Sequence, residues 1–226
     1  MDSGLGLNIF TLLFLTGTFL AALVAGLGGF AFGIVAAAVW LYILSPLQTA
    51  TLIMGLGLVM QAYSVWKSRH ALHWRRLTPI LVGTALGVPL GVFALSHADP
   101  RYLRLGIGAV LVLFSLYGLW RPTLKPIKAR AMVGDLGAGF LNGVLGGATG
   151  LAGIVAVIWC QLRGCWAKDQ QRAVFQPVGV ATFAMSAAWL GGQGSVSREV
   201  IRLFVVALPI VLGRYVAGAQ VLRQTR

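Results

Sequence analysis

Acidic residues are nearly missing from this 226-residue chain, which sets five Asp and Glu against 18 Lys and Arg. Charge of either sign is scarce as well, at 10% of residues, where water-soluble domains carry roughly 25%. Between Asp2 and Lys67 there is no Asp, Glu, Lys or Arg at all. That interval is more than twice the ~20 residues that carry a helix through a ~30 Å hydrocarbon slab. A soluble domain is excluded, and the fold class is all-α, a polytopic transmembrane helical bundle.

The same scarcity excludes chemistry. An enzyme at membrane depth needs paired acids, a nucleophile beside a base, or a metal cluster. No carboxylate pair lies inside any apolar run, and Gly194-Ser195 has no histidine partner within a span. His70 and His73 have a metal-like spacing on a helix, but their basic loop offers no carboxylate or cysteine companion. Cys160 and Cys165 are the only cysteines. Both close an apolar run without a metal-type pattern and are expected to be free thiols. The chain therefore reads as no enzyme, with no cofactor and no metal. Its pI of about 11.1 would suggest nucleic acid in a soluble protein. Here the basic residues fill short breaks between apolar runs, at 67–76 and 121–130, where they hold loops in the cytoplasm. No nucleic-acid partner is expected, and the lipid bilayer is.

Seven apolar runs are present, at about 8–44, 47–66, 77–96, 102–120, 132–162, 173–190 and 200–222. They predict about seven spans. The first lacks the basic segment of a secretion signal and runs too far past any cleavage point, so it is expected to stay in the mature chain. Runs 8–44 and 132–162 would reach ~45–55 Å as straight helices and must tilt, break or turn back. Their glycines name the place. Gly26-Leu27-Gly28-Gly29-Phe30-Ala31-Phe32-Gly33 and Gly146-Gly147-Ala148-Thr149-Gly150-Leu151-Ala152-Gly153 each hold four glycines in eight residues, and each glycine weakens helix by ~1 kcal/mol relative to Ala.

Aligning Gly26 with Gly147 also aligns Gly29 with Gly150 and Ala31 with Ala152, at an offset of 121 residues. A second match at offset 122 pairs Ala85–Phe93 with Ala207–Tyr215. Together they argue for two membrane repeats, 1–120 and 121–226, the second without a counterpart of Leu103–Trp120. Loops 67–76 and 121–130 hold four Lys or Arg each, against two plus Asp99 in 97–104, so the first two are expected in the cytoplasm. One crossing per run then puts the N-terminus inside and makes the repeats parallel. It also leaves 163–172 outside with Arg163, Lys168 and Arg172.

A broken membrane helix exposes backbone groups that hydrocarbon cannot satisfy, so breaks are tolerated where they line a cavity or pack inside protein. Half-helix N-termini suit an anionic ligand, and glycine lets it approach the backbone. Paired breaks in two halves are the sequence mark of a transporter site. The candidate substrate-binding set is Gly26, Gly28, Gly29, Gly33, Gly147, Gly150 and Gly153. Asn142 and Thr149 flank the second break, and Gln176 precedes a helix-kinking Pro177. Gln48, Thr49 and Gln61 read as bridges between helices. The four-residue stripe Gly83, Gly87, Gly91 reads as helix packing, Arg214 as a snorkelling side chain, and Asp135 as a helix cap.

At these residues the sequence resembles the sulfite exporter TauE/SafE family of membrane permeases. The likeness runs through Ala25–Val35, Arg69-His70, Gly83-x3-Gly87-x-Pro89-x-Gly91, Gly139-x3-Gly143, Gly146–Gly153 and Leu212-Gly213-Arg214. It covers about 10–222. The resemblance implies a two-repeat transporter in the cell's inner or plasma membrane that exports small sulfur-containing anions such as sulfite or organosulfonates. An anion channel, or a transporter of another small solute, is the alternative. The family usually has a further C-terminal span, and a homodimer would cover the face left by its absence.

Overall fold

The computed structural model describes residues 9–28, 31–68, 74–120, 131–163, 168–194 and 196–224. Among the described residues the seven apolar runs become nine helices, because the two overlong ones break. Run 8–44 gives α1 (Ile9–Gly28) and α2 (Phe32–Ile43), and run 132–162 gives α6 (Ala131–Thr149) and α7 (Ile154–Leu162). The remaining runs are single helices: α3 (Pro46–Ser68), α4 (Trp74–His97), α5 (Pro100–Trp120), α8 (Lys168–Gly192) and α9 (Arg198–Gln224). Among the described residues there is no strand, and five helices, α1, α3, α4, α5 and α8, are long and apolar enough to cross a membrane. Seven spans were expected; the long helices α6 and α9 fall outside these five, and the short partners α2 and α7, of 12 and nine residues, rise only ~18 and ~14 Å and cannot cross.

Helix starts on one face are cut sharply by local chemistry. Ser45 Oγ accepts from Gln48 N at 3.2 Å, while Gln48 Oε1 accepts from Ser45 N at 3.0 Å. This is a reciprocal cap, and Pro46 fills the first helical position, where no N–H is missed. Asp99 Oδ1 accepts from Arg101 N at 2.7 Å ahead of α5, and Ser197 Oγ from Val200 N at 3.3 Å ahead of α9.

Both broken runs turn back. Phe14 of α1 stacks on Trp40 near the end of α2, with ring centroids 5.2 Å apart, and Phe32 meets the same indole edge-on at 5.9 Å. In the second run Asp135, at the start of α6, accepts from Trp159 Nε1 at 2.7 Å and from Arg163 at 2.8 Å, both at the end of α7. Two hairpins result, and they open to opposite faces. Leu44, just past α2, takes the Arg104 guanidinium of α5 on its carbonyl at 3.4 Å. On that face Gln48 also bonds Glu199, and Ser96 bonds Gln193. The mouth of the second hairpin lies at the other end of the bundle, where Tyr117 bonds Gln161 at 2.8 Å.

This geometry corrects the expected topology. A run that returns to its own face does not count as a crossing, so the start of α1 lies opposite the basic loops. The helix ends that flank 67–76, 121–130 and 163–172 all come to one face, and the loop that looked misplaced joins the other two. Residues 69–73, 121–130 and 164–167 themselves lie outside the described residues. Each half comprises a hairpin and two long helices, α1 to α4 and α6 to α9, with α5 between them.

The glycine stripe packs as expected. Helices α4 and α6 run parallel in near contact: a Cβ on Gly83, Gly87 or Gly91 would collide with the backbone carbonyls of Leu136, Phe140 and Val144 respectively. Reciprocally, Gly139 and Gly143 lie against the carbonyls of Ile80 and Thr84. Small residues permit this approach, and backbone-close packing is what holds membrane helices together without a hydrophobic drive. The apolar core has its largest body around Trp40, among α1, α2, α3 and α9.

Candidate functional site

The two hairpin tips meet inside the bundle. A Cβ on Gly33, the second residue of α2, would come within 3.1 Å of Leu151 Cδ2 and 3.6 Å of the Gly150 carbonyl, with Ile53 of α3 between the tips. Around this junction lies a cavity of about 20 Å3, lined from the first hairpin by Ala25, Phe32, Gly33 and Ile34 and from the second by Gly150, Leu151, Ala152 and Ile154. Ile53, Gly57, Met60 and Gln61 of α3, with Phe183 of α8, complete the wall. That volume holds about one water, less than an oxyanion needs.

The second tip is built by glycine and held by an amide. Gly150 and Gly153 take φ of +74° and +96°, the left-handed region where a side chain costs ~1–2 kcal/mol. Thr149 spans the break: its hydroxyl donates to Leu145 O at 2.6 Å and accepts from Leu151 N at 3.1 Å. Asn142, 1% exposed, clips the far side. Its Oδ1 accepts from Gly153 N at 2.9 Å, and its Nδ2 donates to Thr182 Oγ1 of α8 at 3.2 Å. Among the described tip donors, Leu151 N and Gly153 N are thereby satisfied internally.

Helices α2 and α7 both begin at this junction, and neither N-terminus carries a side-chain cap. Each helix start presents roughly half a unit of positive charge. With first-turn residues Phe32, Gly33, Ile34 and Ile154 in one cavity wall, the two dipoles converge from opposite faces on the same small volume. Among the described residues no group of three His, Cys, Asp or Glu could hold a metal ion.

Of the candidate set, then, Gly33 and Gly150 line the cavity, and Gly153, Asn142 and Thr149 shape the tip behind it. Gly26 is buried near the end of α1, and Gly28 closes that helix. Gly29 lies outside the described residues. Gly147 belongs to the α4–α6 crossing, its Cβ position 2.9 Å from Val88 O. Gln176 is buried on α8, three residues before Gly179, outside the cavity wall. Gln61 is the wall residue that sequence reasoning assigned elsewhere. It pairs with Gly179, whose Cβ would run into the Gln61 amide, a relation between two separate helices that spacing along one run does not reveal. Asp135 proves to be the anchor of Trp159 and Arg163 rather than a helix cap, and Arg163 also lies 5.3 Å over the Trp159 ring.

Opposed half-helices with their N-termini on a shared cavity, inside a bundle of membrane-length helices, define an integral membrane transport protein of the permease class. Residues 13–225, nearly the whole chain, match the Sulfite exporter TauE/SafE family, and the protein belongs to it. No curated protein and no solved structure matches the chain.

Proposed function

We propose that the protein carries small sulfur-containing anions, sulfite or organosulfonates, out of the cell across its inner or plasma membrane, binding them between the two hairpin tips. The observation that carries this reading is the convergence of two uncapped helix N-termini on one cavity. Such ends favour anions, and broken helices facing each other at mid-depth are the usual substrate site of secondary transporters. Family membership supplies the sulfur chemistry.

The two halves are read as inverted repeats, 9–97 and 131–224, with α5 as the connecting span. Alternating access moves one hairpin against the other around the junction. The basic face is the cytoplasmic one. The partners are the transported anion and the bilayer, with a homodimer as the assembly to test. Purified protein in vesicles loaded in turn with sulfite, sulfoacetate, thiosulfate and an amino acid tests the reading: saturable efflux with counterflow is expected for the sulfur anions. Unsaturable flux would make the protein a channel, and efflux of the neutral amino acid alone would end the anion reading.

A further inference from the structure

A second cavity, of about 210 Å3, lies between α3, α8 and α9. Its wall is hydrocarbon: Met54 and Gly55 from α3, Ala187 and Leu190 from α8, Val200 and Phe204 from α9. Thr51 is the one polar side chain among the described residues of that wall, and its hydroxyl is spent on the Leu47 carbonyl of its own helix at 2.7 Å. Apolar cavities of this kind stay dry and take up hydrocarbon. The depth is informative. Thr51 stands five residues into α3, Leu190 two residues before the end of α8, and Val200 two residues into α9. At 1.5 Å per residue the cavity occupies the first ~15 Å below the face where those helix ends gather, which is about half of a ~30 Å hydrocarbon slab.

At the lip the chemistry changes. Ile201 lines the cavity and is 53% exposed. Arg198, Arg202 and Val205, all exposed, fall with it within about 100° of the α9 circumference. Among the described residues the one salt bridge is that of Asp135 with Arg163, and the neighbouring Glu199 is engaged by Gln48. Two guanidinium groups thus stand uncompensated beside the opening of an apolar cleft. We propose that this cleft binds a membrane phospholipid with an anionic headgroup, one acyl chain lying between α3, α8 and α9 and the phosphate on Arg198 and Arg202. A guanidinium pairs with phosphate through two parallel N–H donors, and an arginine stem lies along apolar surface while its head stays at the interface. A free anion has no use for the hydrocarbon wall, and a neutral hydrophobe leaves two cations unmatched. An anionic phospholipid satisfies both, each end at its own depth. The cleft is separate from the junction, so the inference does not depend on the transport reading.

The test uses the full chain, stripped of lipid in a neutral detergent and mixed with palmitoyl-oleoyl phosphatidylglycerol, with phosphatidylcholine of the same chains, or with inorganic phosphate. Melting temperature and native mass spectrometry are the readouts. Phosphatidylglycerol is expected to raise the melting temperature saturably, with one tightly held lipid per chain, whereas phosphatidylcholine should bind more weakly and phosphate should have no effect. Arg198→Gln combined with Arg202→Gln should lower phosphatidylglycerol affinity ~25-fold, about fivefold for each arginine, to the level of phosphatidylcholine. Ala187→Leu, which places side chain in the cavity, should weaken both lipids alike. Equal binding of the two lipids by the wild type, or unchanged phosphatidylglycerol affinity in either variant, overturns the inference. Stabilisation by phosphate as strong as by the lipid overturns it too, in favour of a plain anion site. Both arginines are exposed, so the arginine pair decides if Ala187→Leu does not fold.

Discussion

Replacing Asn142 by leucine tests how the second hairpin tip is held. The substitution keeps the volume close and deletes both bonds of the clip, to Gly153 N and to Thr182 Oγ1. A bridging hydrogen bond between membrane helices is worth ~0.6 kcal/mol on average. The Gly153 N–H, buried and left without a partner, adds ~1–3 kcal/mol. The expected loss is therefore about 2–3 kcal/mol, roughly 30- to 150-fold in the unfolding equilibrium. Thr182→Val should cost less, because it leaves Gly153 paired and removes the bond from Asn142 together with the hydroxyl's bond to the Val178 carbonyl of its own helix. Adding it to Asn142→Leu should bring little further loss, since its partner is already gone. Reversible unfolding in mixed micelles, titrated with a denaturing detergent, measures all three. Asn142→Leu within ~0.5 kcal/mol of wild type, the scatter of an inconsequential surface change, would refute the clip.

Gly87→Ala and Gly143→Ala should each lower the melting temperature, because the added methyl meets α6 or α4 backbone. Gly106→Ala and Gly118→Ala, with nothing within 4 Å, should be neutral or stabilising by up to ~1 kcal/mol of helix propensity. Equal effects in the two pairs would contradict the packing described. Gly153→Ala has room for its methyl but must hold a φ of +96°, so it should lose ~1–2 kcal/mol in the same unfolding assay. An impermeant thiol reagent should label cysteines introduced at exposed Ser45, Ala98 and Ser197 from one side of the membrane and those at Met132 and Gln161 from the other. Labelling of Gln161→Cys from the side opposite Met132→Cys would show that the second hairpin crosses instead of returning.

Run length and glycine density were enough to locate both breaks, because hydrocarbon thickness limits a straight helix and glycine marks where it yields. The zipper of Gly83, Gly87 and Gly91 was legible for a similar reason: a four-residue period of missing side chains has few uses on a helix other than close approach. Direction was not legible. A run of 31 residues reads alike whether it crosses and kinks or enters and returns, and what separates the two here is a set of contacts such as Phe14 on Trp40 and Asp135 on Trp159. Gly147 and Gly150 sit three residues apart in one motif, yet one faces α4 and the other the cavity. Composition gives both the same weight. Gln61 was assigned to bridging because amides on membrane helices usually bridge, and only the position of Gly179 on another helix distinguishes it.

Helix α5 contributes little to the folded interior: Ile107 is its one buried residue among those described. Its worth is a matter of parity. The first half begins and ends on the same face, so without a single odd crossing between the halves the second hairpin would be laid down facing the same way as the first. Its tip could then no longer come up against Gly33 from the other side. Side chains along α5 are accordingly open to wide substitution so long as the helix still spans. Deleting it, or doubling it, would leave every other helix intact in sequence and reverse the second half, bringing the ends that border its basic loops to the wrong side of the membrane.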